Sequence, residues 1–291
     1  MARVLVLLAA YNGEDWISDQ IDSILRQKDV DVNILCSVDL SHDSTYELVN
    51  CYPSIEILPY GERFGGAGPN FYRLFRDANL ANYDYIALSD QDDVWLEDKL
   101  ITAILEMEKK MTNALSSNVT AFWKNGRQKE IVKANPQTSY DHFFESPGPG
   151  CSFVLDRKLA LSLQMFIRSK KSSELIDLHD WLIYAYARCS GFRWAISSTS
   201  KLLYRQHESN QCGANSGFSG VFNRYKIMKT GWYSNQVLKL FEIFDPTNSI
   251  CGRIKRKNAL DSLILSAKCC QFRRKNSEKI MLFFVFILRL F

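Results

Sequence analysis

Hydrophobic positions in the first hundred residues switch repeatedly between two periods. Residues 4–8 form a continuous apolar run, as a buried strand requires. After the turn Ala9-Ala10-Tyr11-Asn12-Gly13, Trp16, Ile17, Ile21, Ile24 and Leu25 recur at helical spacing. A second run, 32–38, ends at Asp39. Tyr46, Leu48 and Val49 then ride a short helix that Ser41 or Asp43 can cap. A third strand is expected at 55–58. Pro69 marks the start of a helix carrying Phe71, Leu74, Phe75 and Ala78. A fourth run, 85–88, empties into Asp90, Asp92 and Asp93 before a helix with Leu100, Ile101, Ile104 and Leu105. This alternation predicts an α/β fold: a mostly parallel sheet flanked by helices, with ligands at the carboxyl ends of the strands. Tyr11, Asp39 and the acidic run from Asp90 to Asp93 all fall at such ends.

Farther along, Pro147-Gly148-Pro149-Gly150 is a turn cluster. A strand is expected at 151–155, a helix at 159–167 and a polar, mobile loop at 168–175. His179-Asp180-Trp181 opens a helix that is apolar on most faces and therefore buried. Segments 192–197 and 201–204 read as a hairpin ending in Arg205-Gln206-His207. From about residue 216 the pattern is helical, at 220–244, 249–272 and 277–291, with a break at Asp245-Pro246. The chain thus divides into an α/β domain, 1–215, and a helical appendage, 216–291.

Several of these positions can carry chemistry. Carboxylates crowded at a strand end repel one another unless a hard divalent cation such as Mg2+ or Mn2+ is bound. Such a cation keeps open positions for phosphate oxygens. The same residues also suit a polar loop with a helix cap. A carboxylate at Asp180 would be stabilised by the helix dipole and held rigidly, as a general base requires, or would serve only as a cap. Tyr11 reads either as a ligand-stacking ring or as a core aromatic, and Asp39 either as a ligand contact or as a turn former. His207 suits a metal or diphosphate contact or an ordinary hydrogen bond. Arg205 suits phosphate.

The opening Ala-Ala-Tyr-Asn-Gly, the Asp-x-Ser-x-Asp-Ser-Thr from Asp39, Ser-Asp-Gln-Asp-Asp-Val-Trp from Ser89, Leu-His-Asp-Trp from Leu178 and Tyr-Arg-Gln-His from Tyr204 occur in this order. Over roughly residues 3–215 the sequence resembles family 2 glycosyltransferases of the GT-A fold, in a rhamnosyltransferase-like branch. One departure is that Val38-Asp39-Leu40 replaces the family's frequent Asp-Asp-Gly. The resemblance implies that Tyr11 stacks on a nucleobase and that Asp39 accepts from its N–H. It also implies that Asp92 and Asp93 touch the ribose and hold the metal on the diphosphate, with Asp90 in support, and that Asp180 is the catalytic base. The implied donor is dTDP-L-rhamnose, and the implied acceptor a lipid-linked glycan for O-antigen, capsule or a similar surface polysaccharide.

Charge and composition narrow the partners. A net charge of +4 over 291 residues gives no reason to expect nucleic acid. Eight cysteines without a C-x-x-C pair read as free thiols, with Cys36, Cys151 and Cys189 in apolar, buried elements; Cys269-Cys270 gives no reading. Met1-Ala2-Arg3 leads directly into the first strand, so a cytoplasmic enzyme is expected. Near the C-terminus Arg253, Lys255, Arg256, Lys257, Lys268, Arg273, Arg274, Lys275 and Lys279 face only Asp261 and Glu278. The apolar end, 280–291, is shorter than the ~20 residues a membrane-spanning helix needs. It suits peripheral contact with the inner face of an anionic membrane, and it also suits packing on the core or a dimer contact. Two rival functions remain: a sugar nucleotidyltransferase or other metal-dependent nucleotide enzyme, and a non-catalytic membrane-bound scaffold. The first wants a basic Gly-rich loop after the first strand, where Glu14 and Asp15 stand instead. No G-x-G-x-x-G follows that strand, and Gly61, Gly65, Gly66 and Gly68 have the wrong spacing for a dinucleotide site.

Overall fold

A computed structural model describes residues 1–207 and 230–291. The expected alternation is present as β1 (Ala2–Ala10), α1 (Ile17–Leu25), β2 (Val30–Val38), α2 (Thr45–Asn50), β3 (Ile55–Ile57), α3 (Ala67–Asp77), β4 (Tyr85–Ser89), the short β5 (Val94–Trp95) and α4 (Lys99–Lys110). Leu5, Leu7 and Ala9 of β1 enter the core on one face of the sheet, and Val4, Val6, Leu8 and Ala10 enter it on the other. A strand covered on both faces reads as an unbroken apolar run, which is why the sequence shows no alternation here. β1 pairs in parallel with β2 and β4, and β2 with β3. The register sets Ala10 beside Val38 and Leu8 beside Ser89. Tyr11, Asp39 and Asp90 therefore leave the sheet along one rim.

The main sheet has seven strands, ordered β10-β6-β9-β4-β1-β2-β3, with β6 (Ala114–Ser117), β9 (Val154–Asp156) and β10 (Trp194–Ser197). β9 runs antiparallel to both its neighbours. The hairpin expected at 192–204 does not form. β10 joins the main sheet parallel to β6, while β11 (Leu202–Gln206) joins a second sheet, β5-β11-β7-β8, with β7 (Val119–Trp123) and β8 (Gln128–Ile131). Asn118 holds the chain at this crossover: its amide donates to the Ser198 carbonyl and accepts from the N–H groups of Lys133 and Ala134. Strand periodicity cannot name a partner, so the pattern alone could not separate the two sheets.

The remaining helices are α5 (Asp141–Phe144), α6 (Arg157–Arg168), α7 (His179–Cys189) and α8 (Trp232–Phe244). Every residue of α7 from Trp181 to Ala187 is buried, as its apolar composition requires. Segment 168–175 is not left free: Arg76 donates to the Lys170 carbonyl and the Ser172 hydroxyl. Cys36 and Cys151 are buried, but Cys189 is exposed at the end of α7. The boundary at 215/216, the start of the stretch at 220 and Cys212 lie outside the described residues.

The expected long helix at 249–272 is broken into α9 (Ser249–Arg256), α10 (Ala259–Ala267) and α11 (Cys269–Phe272). Lys257 turns left-handed at φ 51°, and the Asn258 side chain then caps α10 by accepting from Asp261 N–H. α12 (Asn276–Ile287) ends the fold. Leu282, Val285, Phe286 and Phe291 join the same core layer as α7. Arg274 is almost wholly buried. It donates to Asp141 and to the Ser146 carbonyl, and Asp141 also accepts from Arg188 and Tyr184. The C-terminal helices are thus locked onto the segment beside α7. Among the described residues no helix is long and apolar enough to cross a membrane.

Candidate active site

The strand ends open into a cleft of about 440 Å³, within the range of small-ligand sites. Tyr11, Asp39, Asp90, Asp92, Asp180 and His207 all line it. Tyr11 is 38% exposed. It is held by the Gln91 side chain, which accepts from Tyr11 N–H and donates to Tyr11 C=O. This staple joins the ends of β1 and β4.

Asp39 is only 3% exposed, and its carboxylate accepts from the backbone N–H groups of Leu40, Phe64 and Gly65. Those bonds use three of roughly four lone-pair sites of a carboxylate. The turn-forming role is therefore present, and about one acceptor position remains toward the cleft.

The second sheet brings the C-terminal motif to the acidic loop. β11 pairs antiparallel with β5, Leu203 opposite Val94, so residues 205–207 lie against 91–93. His207 Nε2 sits 2.7 Å from Asp92 Oδ2, and its ring stacks on Trp16 with centroids 4.0 Å apart. Arg205 differs from the expectation. Its Nε donates to the Asp92 carbonyl and its Nη2 pairs with Asp19, and it does not line the cleft. These contacts tie its guanidinium to the acidic loop and to α1.

Asp93 differs too. It is fully buried, accepts from Arg205 N–H, and is absent from the cleft wall. Its carboxylate, that of Asp90 and the Cys151 thiol lie within 4.8 Å of one another. Burial, then the charges of Asp92 and Asp90, push Asp93 well above the usual carboxylate range. Asp90 itself is pushed up to about 7 by burial, then by Asp92 and Asp180. This crowding is what a cation in the cleft would relieve. A carboxylate and an imidazole already in contact, facing space for phosphate and water oxygens, fit Mg2+ or Mn2+. Two groups could hold such an ion: Asp92 with His207, and Asp90, Asp93 and Cys151.

Asp180 sits in the first turn of α7, its carboxylate accepting from Trp181 N–H at 2.7 Å. Burial raises its pKa above the ordinary value, against the opposing hydrogen bonds of Ser146 and Trp181 and the charge of Lys133. Trp181 Nε1 donates to the His142 carbonyl, which fixes the start of the helix. A rigid, partly desolvated carboxylate is suited to accepting a proton.

Sequence reasoning missed the other wall. Asn70 and His179 line the cleft and are buried, and Asn70 Oδ1 and His179 Nε2 have no hydrogen-bond partner among the described residues. His179 stacks on Phe71 at 3.9 Å, and burial pushes its pKa down to about 3, so the ring is neutral. Gly65, Gly66 and Gly68, which fail the dinucleotide spacing, line the cleft, and so does Gly150. A Cβ at Gly68 would meet the Asp177 carbonyl at 2.1 Å, and one at Gly150 would meet His179 Nε2 at 2.3 Å. They allow α3 and the 149–150 turn to close on the start of α7. The local clusters of glycine at 61–68 and 148–150 were the available signal, but only the packed α7 gives them meaning.

Comparison with known proteins agrees with this geometry. The profile of Glycosyl transferase family 2 matches residues 5–158. The chain is 41% identical over 290 residues to the dTDP-rhamnosyl transferase RfbG of Shigella flexneri, covering 98% of this chain and 100% of the relative. It is 24% identical to the Escherichia coli enzyme UDP-Glc:alpha-D-GlcNAc-diphosphoundecaprenol beta-1,3-glucosyltransferase WfaP, covering 79% and 87%. Among solved structures, S. aureus TarS 1–349 in complex with UDP-GlcNAc superposes with a TM-score of 0.60 at 15% identity, covering 99% of this chain and 81% of that one. The sheet and its flanking helices form a GT-A fold, and the chain belongs to glycosyl transferase family 2.

Proposed function

We propose that the chain transfers L-rhamnose from dTDP-L-rhamnose, with inversion, to a hydroxyl of a lipid-linked bacterial surface glycan. The observation that carries this reading is the convergence of Asp180, Asp90, Asp92, His207, Tyr11 and Asp39 on one cleft. The likeness to RfbG supports the donor, and the name of the WfaP relative, whose acceptor is a diphosphoundecaprenol, supports the acceptor. Family membership also favours transfer over the nucleotidyl chemistry considered above.

In this reading Tyr11 stacks on the nucleobase, and the free acceptor site of Asp39 takes its N–H. Asp92 and His207 would hold a divalent ion, with Trp16 fixing the imidazole plane, and the ion would supply charge neutralisation on the departing diphosphate. Arg205 and Asp93 position Asp92 from behind. Asp180 accepts the proton of the acceptor hydroxyl as that oxygen attacks the anomeric carbon. The bond from this carbon to the phosphate oxygen breaks on the opposite face, and its electron pair leaves with the nucleoside diphosphate. Charge builds on the ring as an oxocarbenium, as in glycoside hydrolysis. No covalent enzyme intermediate is required. We further propose two functional units, 1–215 for transfer and 216–291 for contact with the inner face of the cell membrane.

A panel of nucleotide-sugars, each assayed for nucleoside diphosphate release with and without Mn2+ and an acceptor extract, tests the reading. Turnover restricted to dTDP-L-rhamnose is expected. Preference for another donor overturns the sugar assignment, and absence of transfer with every donor overturns the reaction.

A further inference from the structure

The apolar C-terminal end has two faces with different fates. Leu282, Val285 and Phe286 of α12 are buried in the core, and so is Phe291. On the other side Ile280, Phe283, Phe284 and Ile287 are exposed at i, i+3, i+4 and i+7, a continuous stripe on the helix. α10 packs against α12 and exposes Leu260 and Leu263. Phe284 is 54% exposed and Leu260 67%. Apolar side chains concentrated in this way, rather than scattered, mark an interaction surface.

The charges around it have one sign. From residue 246 onward there are ten Lys and Arg against two carboxylates. Both carboxylates are consumed internally, Asp261 by Arg253 and Arg256, and Glu278 by Arg273. Lys257, Lys268 and Lys275 have no carboxylate partner among the described residues. Where the ends of α10 and α12 meet, Arg253, Lys257 and Arg289 rim a small cleft with an apolar floor of Ile254, Leu265 and Phe286. Arg289 donates to the Lys257 carbonyl, which ties the two basic ends together. A second copy of this chain is a poor occupant, because a two-fold contact would set this cationic rim against itself.

We propose that the outer face of α10 and α12 lies on an anionic phospholipid bilayer. Phe283, Phe284, Ile287 and Leu260 enter the headgroup–acyl boundary, and Arg253, Lys257 and Arg289 take headgroup phosphates. This deepens the membrane contact proposed above and rests on it. The face is separate from the cleft, so attachment leaves the transfer machinery free to work on a lipid-linked chain.

Truncating the tail would remove core residues with the surface ones, so point changes are the test. Wild type, Phe283→Ser/Phe284→Ser and Lys257→Glu/Arg289→Glu are floated with phosphatidylcholine vesicles, with and without phosphatidylglycerol, at low and high salt. Wild type is expected to float only with the anionic vesicles and to be released by salt. Each double variant should lose about tenfold or more in partitioning, with unchanged melting temperature and unchanged nucleoside diphosphate release in solution. Wild type that ignores anionic vesicles, or variants that float as well as wild type, overturn the proposal. So does a wild-type dimer that the phenylalanine variant splits, since the face would then be a self-interface. Donor turnover is measured separately, so its failure would count against the proposed reaction and not against this surface.

Discussion

Asp180→Asn isolates the proposed base. The Asn side chain keeps the oxygen that accepts from Trp181 N–H, so the first turn of α7 stays closed. It removes the basicity. General-base loss slows transfer by roughly 10²–10⁴-fold, which is about 2.7–5.4 kcal/mol at 1.36 kcal/mol per decade. The nucleobase and diphosphate contacts lie elsewhere in the cleft, so affinity for dTDP with Mn2+ should hold. Burial raises the Asp180 pKa in the folded state, so the wild-type rate should fall as pH drops through that raised value, while the residual rate of the variant stays flat. The sign for stability is the reverse of the usual carboxylate case. Below the unfolded-state pKa of about 3.9 both states are protonated and no penalty exists. Above the folded pKa the native state carries a desolvated charge. Removing that charge should leave the melting temperature at neutral pH unchanged or raised. Transfer assays across pH, calorimetry with dTDP and thermal melts check the set. Transfer within a few-fold of wild type would show that Asp180 is only a cap, and a collapse in melting temperature would show that its charge holds the fold.

Asp92→Asn should abolish the Mn2+ dependence of dTDP binding in calorimetry and leave the melting temperature near wild type. Asp93→Ala should instead lower the melting temperature, because the residue is fully buried beneath the loop and bonded to Arg205 N–H; the opposite pattern would make Asp93 the ligand. Gly68→Ala places a methyl 2.1 Å from the Asp177 carbonyl, and forced backbone movement of this kind costs roughly 1–3 kcal/mol, readable by chemical denaturation together with weakened donor binding. Asp141→Asn removes the carboxylate shared by Arg188 and Arg274, leaving Arg274 only Glu145 as a charge partner among the described residues, at 3.4 Å, and breaking a buried pair costs roughly 3–5 kcal/mol. Although burial pushes Asp141 up, His142, Arg274 and Arg188 bring it to about 2. Its contribution is therefore fully present above the unfolded carboxylate pKa and is lost as pH falls toward 2, and an acid-denaturation midpoint that the substitution leaves unmoved would refute this.

The parallel half of the sheet was legible because β1, β4 and the second half of β2 are buried and read as largely apolar runs ending in functional residues. The helix opened by Asp180 was legible for a related reason, since a segment apolar on all sides has nowhere to go but the core. What failed was pairing. Residues 192–206 carry strand composition, but the four-residue polar link between β10 and β11 fits a hairpin as well as a change of sheet. Only the Asn118 tether and the pairing of β11 with β5 distinguish them. The site suffered from a related blindness. Asp90, Asp92 and Asp93 are adjacent in sequence, yet the turn sends Asp92 into the cleft and Asp93 into the interior. Arg205 is a phosphate-binding residue type whose charge is taken up by Asp19 and the Asp92 carbonyl. Residue type announces capacity, and backbone direction decides use.

The same distinction changes how the C-terminal third is understood. Read along the chain it is an appendage, basic and then apolar. In the fold, Arg274 reaches from it to Asp141 and the Ser146 carbonyl. Asp141 in turn takes Arg188 and Tyr184 from the helix that begins with Asp180, and Ser146 is a hydrogen-bond partner of Asp180 itself. Tyr233 of α8 bonds the Phe144 carbonyl, and its ring meets Phe291 edge-on. The segment between these contacts, 141–146, is therefore clamped from both sides. The exposed face of α10 and α12 and the proposed base belong to one continuously packed body. A surface built this way transmits its orientation to the cleft without a hinge, so a bilayer on that face would fix how the mouth of the cleft stands relative to a lipid-anchored acceptor.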